Sequence, residues 1–261
     1  MKYSILILTF LLLPSCLSNH KKMNRIVLLH RSTGLSIFLG NTNYYVNKLT
    51  KKSDLKSYVR KYSKESKSDC TVSEKHFASP LSLKNYPYDY YNVWVKNAGN
   101  TPFMNVPTLE ILTKQFEIIV FKHCYSASNT MEDSGSPDID SEERRIENYK
   151  LQYESLKRKM HEFPETKFII WTPAVNVKNQ MTEDEARRIS EFYRWILEKW
   201  DEKEDNIYLW DFYKYETEGG LYFKDEYAFS SNDSHPGKEF SAHMAPILAR
   251  FIVDVADGVY D

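Results

Sequence analysis

The sequence predicts an α/β protein, a three-layer α/β/α sandwich with a mainly parallel central sheet, on two observations. Four short apolar runs, at 25–29, 116–121, 167–171 and 207–210, lack polar alternation, which suits strands buried on both faces of a parallel sheet. Between and after them, apolar residues recur at helical spacing, and strands that alternate with helices define layered α/β architecture.

In chain order, the run at 25–29 predicts the first strand. The stretch 41–87 predicts a helix around 49–62, then an exposed region rich in Lys and Ser, and a further strand whose position the pattern does not fix. After the run at 116–121, residues 126–141 are polar and punctuated by Gly and Pro, predicting a long loop on the carboxyl edge of the sheet. Ile146, Tyr149, Tyr153, Leu156 and Met160 share one helix face, with Asp140 and Glu143 expected to cap its start and Pro164 to close it. Thr182 and Glu185 form a capping box before the stripe Ile189, Phe192, Tyr193, Ile196, Leu197 and Trp200. A last helix begins near Pro236, with Phe240, Met244, Ile247, Leu248, Phe251 and Val255 inward and a kink expected at Pro246. No internal repeat is evident.

At 261 residues and 42% hydrophobic composition, the chain is long enough for one sizeable core. Its 35 Lys and Arg offset 36 Asp and Glu, so it lacks the basic footprint of a nucleic-acid binder. Met1, Lys2 and Tyr3 precede an apolar run, 4–13, that is short for a membrane span and reads as an export signal. The expected division is a signal peptide at 1–16 and a single domain at 17–261. Leu13-Pro14-Ser15-Cys16 resembles a lipoprotein cleavage box, with Cys16 as the lipidated residue. The expected location is therefore the cell envelope, or the periplasm or medium after ordinary cleavage. Cys70 and Cys124 can form one bridge at most, which is no disulfide framework.

In a parallel sheet, ligands bind at the carboxyl ends of the strands. Directly after the first predicted strand comes His30-Arg31-Ser32-Thr33-Gly34, a small-residue turn presenting the Ser32 hydroxyl. A serine is a weak nucleophile and needs a base within hydrogen-bond reach; alone, this serine reads more readily as an ST-type turn than as a nucleophile. Asn232-Asp233-Ser234-His235-Pro236-Gly237, just before the last helix, supplies a histidine and an adjacent carboxylate. An imidazole oriented by a carboxylate accepts a serine proton and returns it to a leaving alcohol. By itself, that histidine reads as a structural turn residue.

Together, a serine after the first strand and an Asp/His turn before the last helix resemble the SGNH/GDSL hydrolase superfamily, as a diverged member of bacterial lipoprotein type. The resemblance covers the mature chain in element order and implies a flavodoxin-like topology. It implies Ser32 as nucleophile, His235 as base and Asp233 as the residue orienting it, although the family places its aspartate where this chain has Asn232. It implies an oxyanion hole built from the N–H groups of Ser32 and Gly99, the latter matched within Asn97-Ala98-Gly99-Asn100. Where the family ends a strand with an asparagine, this chain has Ser126, with Asn129 as the alternative donor. His30 and His123 are expected to pack behind the site, and Lys122 to pair with a buried carboxylate.

The implied activity is serine ester hydrolysis of an O-acyl ester, with acetyl groups on a glycan as the expected substrate. The aromatic stretch 86–94 reads as a wall of a sugar platform or as core. The expected partners are a small-molecule or glycan ester, no nucleic acid, and a membrane solely through a lipid on Cys16; a monomer is expected. No cofactor and no metal are expected, since His30, His123, His235 and Asp233 lack zinc-motif spacing. Acyl transfer to another alcohol uses the same residues. The alternative reading is a catalytically silent lipoprotein of the same fold that binds a glycan or envelope partner.

Overall fold

The computed structural model describes residues 23–77 and 83–261. The expected signal at 1–16, with Cys16, therefore lies outside the described residues.

The first strand, β1 (Asn24–His30), is followed at once by α1 (Ser32–Leu39), then α2 (Tyr44–Thr50), α3 (Asp54–Glu65) and β2 (Cys70–His76). Next come α4 (Pro87–Tyr91), α5 (Leu109–Leu112) and β3 (Ile118–Phe121). The second half runs α6 (Ile146–His161), β4 (Lys167–Trp171), α7 (Glu183–Trp195), β5 (Ile207–Trp210) and α8 (Phe212–Thr217). A short hairpin, β6 (Ala228–Ser230) and β7 (Asp233–Pro236), leads into α9 (Lys238–Ala256).

Five strands form one sheet in the order β2-β1-β3-β4-β5, and every pairing is parallel. Helices α1, α3 and α9 pack together on one face, while α4, α6 and α7 pack together on the other. The result is the expected three-layer α/β/α sandwich with the flavodoxin-like strand order. Because the chain steps from β1 outward to β2 and then back across to β3, the order reverses between β1 and β3, and it is at the carboxyl ends of such a switch point that α/β sheets bind ligands.

Three of the four apolar runs, in β1, β3 and β4, are covered on both faces, while β5 is a sheet edge with Tyr208 and Leu209 half-buried. Val27, Leu28, Ile119, Val120, Phe168 and Ile169 have no measurable exposure. The strand that the sequence pattern left unplaced is β2, at the sheet edge. It pairs with β1 alone, and only Cys70 and Val72 of its seven residues are buried, so it carries no continuous apolar run to be recognised.

Three boundaries differ from expectation. The single helix around 49–62 is two, because Lys51 takes a left-handed conformation (φ 57°) and the Ser53 hydroxyl then caps α3 by accepting from the Lys56 N–H. Asp140 and Glu143 do not cap α6, whose N-cap is Arg145; Asp140 pairs instead with Lys96 and Tyr91. The last helix starts at Lys238 because Pro236 closes β7, and it continues through Pro246. The Thr182–Glu185 capping box is present at α7.

Candidate active site

Ser32 is the first residue of α1, half-buried at the carboxyl end of β1. The first intrahelical bond runs from the Leu35 N–H to the Arg31 carbonyl, so the N–H groups of the first turn have no partner within the helix. Among the described residues, the Ser32 hydroxyl has no hydrogen bond. The close approach of α1 to the sheet demands Gly34, since a Cβ there would stand 2.5 Å from the His30 Cβ.

Asp233 and His235 sit two apart in β7, so both side chains leave the same side of that strand. Asp233 Oδ1 accepts from the His235 backbone N–H at 3.0 Å and meets the ring Nδ1 at 2.5 Å. Burial pushes the Asp233 carboxyl up, but these two contacts outweigh it and hold the group below the usual carboxylate range. Among the described residues, Nε2 has no hydrogen bond. The ring lies edge-on to Tyr125, 5.1 Å between centroids, in the turn after β3. No hydrogen bond joins Ser32 to His235; α1 and β7 pack together, which brings the two residues to one edge. Such contacts are often long in ligand-free enzymes and tighten with substrate.

A strut fixes the β7 turn. The Ser234 hydroxyl accepts from the Val177 N–H at 3.0 Å and donates to Gln180 Oε1 at 2.5 Å, while Gln180 Nε2 donates to the Asn232 carbonyl at 2.6 Å. Asn232 thus offers its backbone rather than a carboxylate. Sequence reasoning missed Gln180 and Ser234, because neither residue type signals a role until the loop after β4 folds over the turn.

Of the expected oxyanion donors, Gly99 is misplaced. Its N–H donates to the Glu110 carboxylate, and its carbonyl accepts from Thr108 at 2.5 Å. Glu110 in turn pairs at 2.6 Å with Lys159 in the last turn of α6, at the amino edge of the sheet. Gly99 therefore lies at the opposite end from Ser32, and the short match Asn97-Ala98-Gly99-Asn100 does not carry a donor to the site. Ser126 is at the site edge, its hydroxyl 3.3 Å from that of Tyr86 and its carbonyl bonded to Arg144. Asn129 acts as a bridge: its Nδ2 donates to the Gln180 carbonyl at 3.1 Å and its Oδ1 accepts from Asn176 at 2.9 Å. The side chain is committed to the loop that carries Gln180.

Behind the site, His123 is buried among Tyr90, Phe121 and Tyr153, and burial followed by the charge of Lys122 pulls its pKa down to about 3. His30 is buried too, its Nε2 2.8 Å from Glu74. Lys122 is buried under α1 without the expected ion pair: among the described residues its Nζ has no hydrogen-bond partner. The aromatic stretch is mainly core, with Tyr90 and Trp94 fully buried, leaving Tyr86 and Tyr88 half-buried. Cys70 and Cys124 are both free. His30, His123 and His235 do not converge. Among the described residues, the group with metal-ligand spacing is His161, Glu202 and Asp205, with ligand atoms within 4.8 Å of one another, at the amino edge. A groove of about 690 Å³ lined by Tyr215, Tyr227, Phe240 and His243 lies beside the β6–β7 hairpin rather than between Ser32 and His235.

Fold and edge define an α/β sandwich with a serine and an Asp–His pair at its topological switch point. The lipase Lip_vut3 from a goat rumen metagenome is similar in structure, with a TM-score of 0.52 over 87% of this chain and 96% of the lipase at 15% identity. At that identity the likeness is one of fold. No family model and no curated protein matches the sequence.

Proposed function

We propose that the protein is a serine ester hydrolase of the SGNH/GDSL type, with Ser32 as nucleophile, His235 as general base and Asp233 as the group that orients it. The observation that carries this reading is the Asp233–His235 pair, with the carboxylate on Nδ1 and Nε2 left available at the edge that bears Ser32. A carboxylate on Nδ1 fixes the tautomer in which Nε2 accepts a proton. His235 takes the Ser32 proton as Oγ attacks the ester carbonyl, then gives it to the leaving alcohol; water releases the acyl group by the same route in reverse order of roles. The developing oxyanion is stabilised by first-turn N–H groups of α1, Ser32's own among them, and by the Ser126 hydroxyl.

The fold shared with a lipase supports an ester as substrate. An O-acetylated glycan on the envelope, reached by a chain exported through residues 1–16 and anchored at Cys16, is the substrate and location this reading adopts. The test is hydrolysis of p-nitrophenyl acetate and longer esters by the mature domain beside Ser32→Ala and His235→Ala, with folding checked by circular dichroism. Activity lost in both folded variants supports the assignment; activity unchanged in either overturns it. Soluble domain that folds, hydrolyses no ester, yet retains an acetylated glycan on a column favours the silent binding protein.

A further inference from the structure

The helix α2 is built inside out. Its buried residue is Asn47, whose Nδ2 donates to the Lys52 carbonyl at 2.6 Å. Tyr45 and Leu49 stand two residues to either side of Asn47, about 160° around the helix, and so share the opposite face. They are 74% and 85% exposed, and Tyr44 and Val46 beside them are half-exposed. A surface helix of a globular protein normally turns its apolar stripe toward the core; in α2 the polar side chain is inside and the apolar ones meet water.

The fold carries this face to the candidate site's edge. The last turn of α3 lies at the amino edge of the sheet, where the Ser63 hydroxyl accepts from the N–H of Cys70, the first residue of β2. α3 packs along β2, and its 12 residues rise about 18 Å, so Asp54 at its start lies toward the carboxyl edge. Asp54 holds the preceding turn there, accepting from the Asn41 N–H and the Thr42 hydroxyl, both at 2.8 Å. Phe229, 74% exposed, stands on the hairpin that carries Asp233 and His235. Residues 41–53 include Lys48, Lys51 and Lys52, all exposed, and no acidic residue. Clustered exposed apolar side chains mark a contact surface, and tyrosine and leucine tips ringed by lysines match the interface of an anionic bilayer. A symmetric pair of copies meeting on α2 brings two sets of the same lysines together, which repel.

We propose that α2 is a membrane-docking element: Tyr45 and Leu49 enter the interface of an anionic bilayer, Lys48, Lys51 and Lys52 lie on its headgroups, and the carboxyl edge of the sheet is held against that surface. The contact is peripheral; among the described residues, no helix is long and apolar enough to cross a membrane. A lipid on Cys16 is compatible with this orientation, since the seven residues between Cys16 and Asn24 can reach about 24 Å, as far as β1 is long. The docking stands on α2 alone. Its consequence for catalysis, the presentation of Ser32 and His235 to esters borne on the same surface, rests on the reading above.

The experiment is flotation of the mature chain from residue 17, which contains every strand and helix of the sandwich, with vesicles of phosphatidylcholine alone or mixed with phosphatidylglycerol. Wild type is expected to float with the mixed vesicles and to be released by salt, which screens the headgroup attraction. Tyr45→Ser combined with Leu49→Ser should lower the partition about tenfold or more. Lys48→Gln, Lys51→Gln and Lys52→Gln together should lower it about a hundredfold, at roughly fivefold per lysine, and remove the salt effect. Because these side chains are exposed, both variants should keep the wild-type circular dichroism spectrum. Leu49→Trp should be quenched by brominated lipid beyond the wild-type signal. Wild type that does not float with the mixed vesicles, or flotation that either variant fails to lower, overturns the proposal; a dimer that the Tyr45/Leu49 variant splits, without flotation, assigns the face to a second copy instead. Ser32→Ala should float as wild type does, and both α2 variants should hydrolyse soluble p-nitrophenyl acetate at the wild-type rate, so that failure of the docking and failure of the nucleophile assignment are read separately.

Discussion

His123 is fully buried with neither ring nitrogen hydrogen-bonded among the described residues. Its pKa falls from 6.5 to about 3. The folded state thus keeps the ring neutral while the unfolded chain takes up a proton below 6.5. Stability is therefore full above 6.5 and is lost progressively as pH falls toward 3. At pH 4.5 the loss is about 3 kcal/mol, at roughly 1.4 kcal/mol per unit. His123→Phe keeps an aromatic ring among Tyr90, Phe121 and Tyr153 and should remove most of that acid sensitivity; urea midpoints at pH 7 and 4.5 for both proteins measure it. Asp233 makes a second residue-scale case. Asp233→Asn keeps the shape but no longer enforces the tautomer, so kcat should fall by about 10²–10⁴ with KM little changed; steady-state kinetics on p-nitrophenyl acetate decide, and an unchanged kcat removes Asp233 from the mechanism. That Ser32 follows the first strand and that Asp233 and His235 precede the last helix was legible, because position relative to an element is a sequence property. Gly99 was misplaced because a glycine between Ala98 and Asn100 carries no information about which end of the sheet it occupies, and its contact with Thr108, just before α5, tells.

The loop after β4 separates two roles within three residues. Thr182 caps α7, accepting from the Glu185 N–H while Glu185 accepts from Thr182. Thr182→Ala should cost about 1 kcal/mol in a denaturant midpoint and leave kcat unchanged. Gln180 instead ties the loop to β7 through Ser234 and Asn232. Gln180→Ala should lower kcat roughly tenfold, since a displaced base loses productive geometry, while costing no more stability than the cap. Equal kcat losses in the two variants would mean that the strut does not position His235. Of these two, the cap was legible, because a capping box is a local sequence pattern, whereas the strut joins residues more than fifty positions apart. The same distinction separates β3 and β4 from β2. A central strand announces itself by an unbroken apolar run, whereas Cys70-Thr71-Val72-Ser73-Glu74-Lys75-His76 is paired on one side only and keeps its polar residues in water.

At the scale of the molecule, the candidate site draws on the two ends of the described chain. Ser32 rides on α1 after the first strand, His235 on the strand that feeds α9, and α1 and α9 pack against each other on one face of the sheet. The three-layer order was readable because strands and helices alternate. That the two termini meet was readable only through the resemblance, since nothing local in either segment names the other. Leu248, in the middle of α9, has no exposure, and α9 also packs on α3, β4 and β5. Leu248→Ala removes buried surface and leaves a cavity, which should cost about 2–5 kcal/mol. Because Leu248 touches no reacting group, the loss should appear as a lowered urea midpoint with an unchanged m-value, while kcat per folded molecule holds at temperatures where the variant stays native. If kcat instead drops in variant that circular dichroism shows to be folded, the α1–α9 seam is setting the distance between Ser32 and His235 as well as holding the sandwich closed.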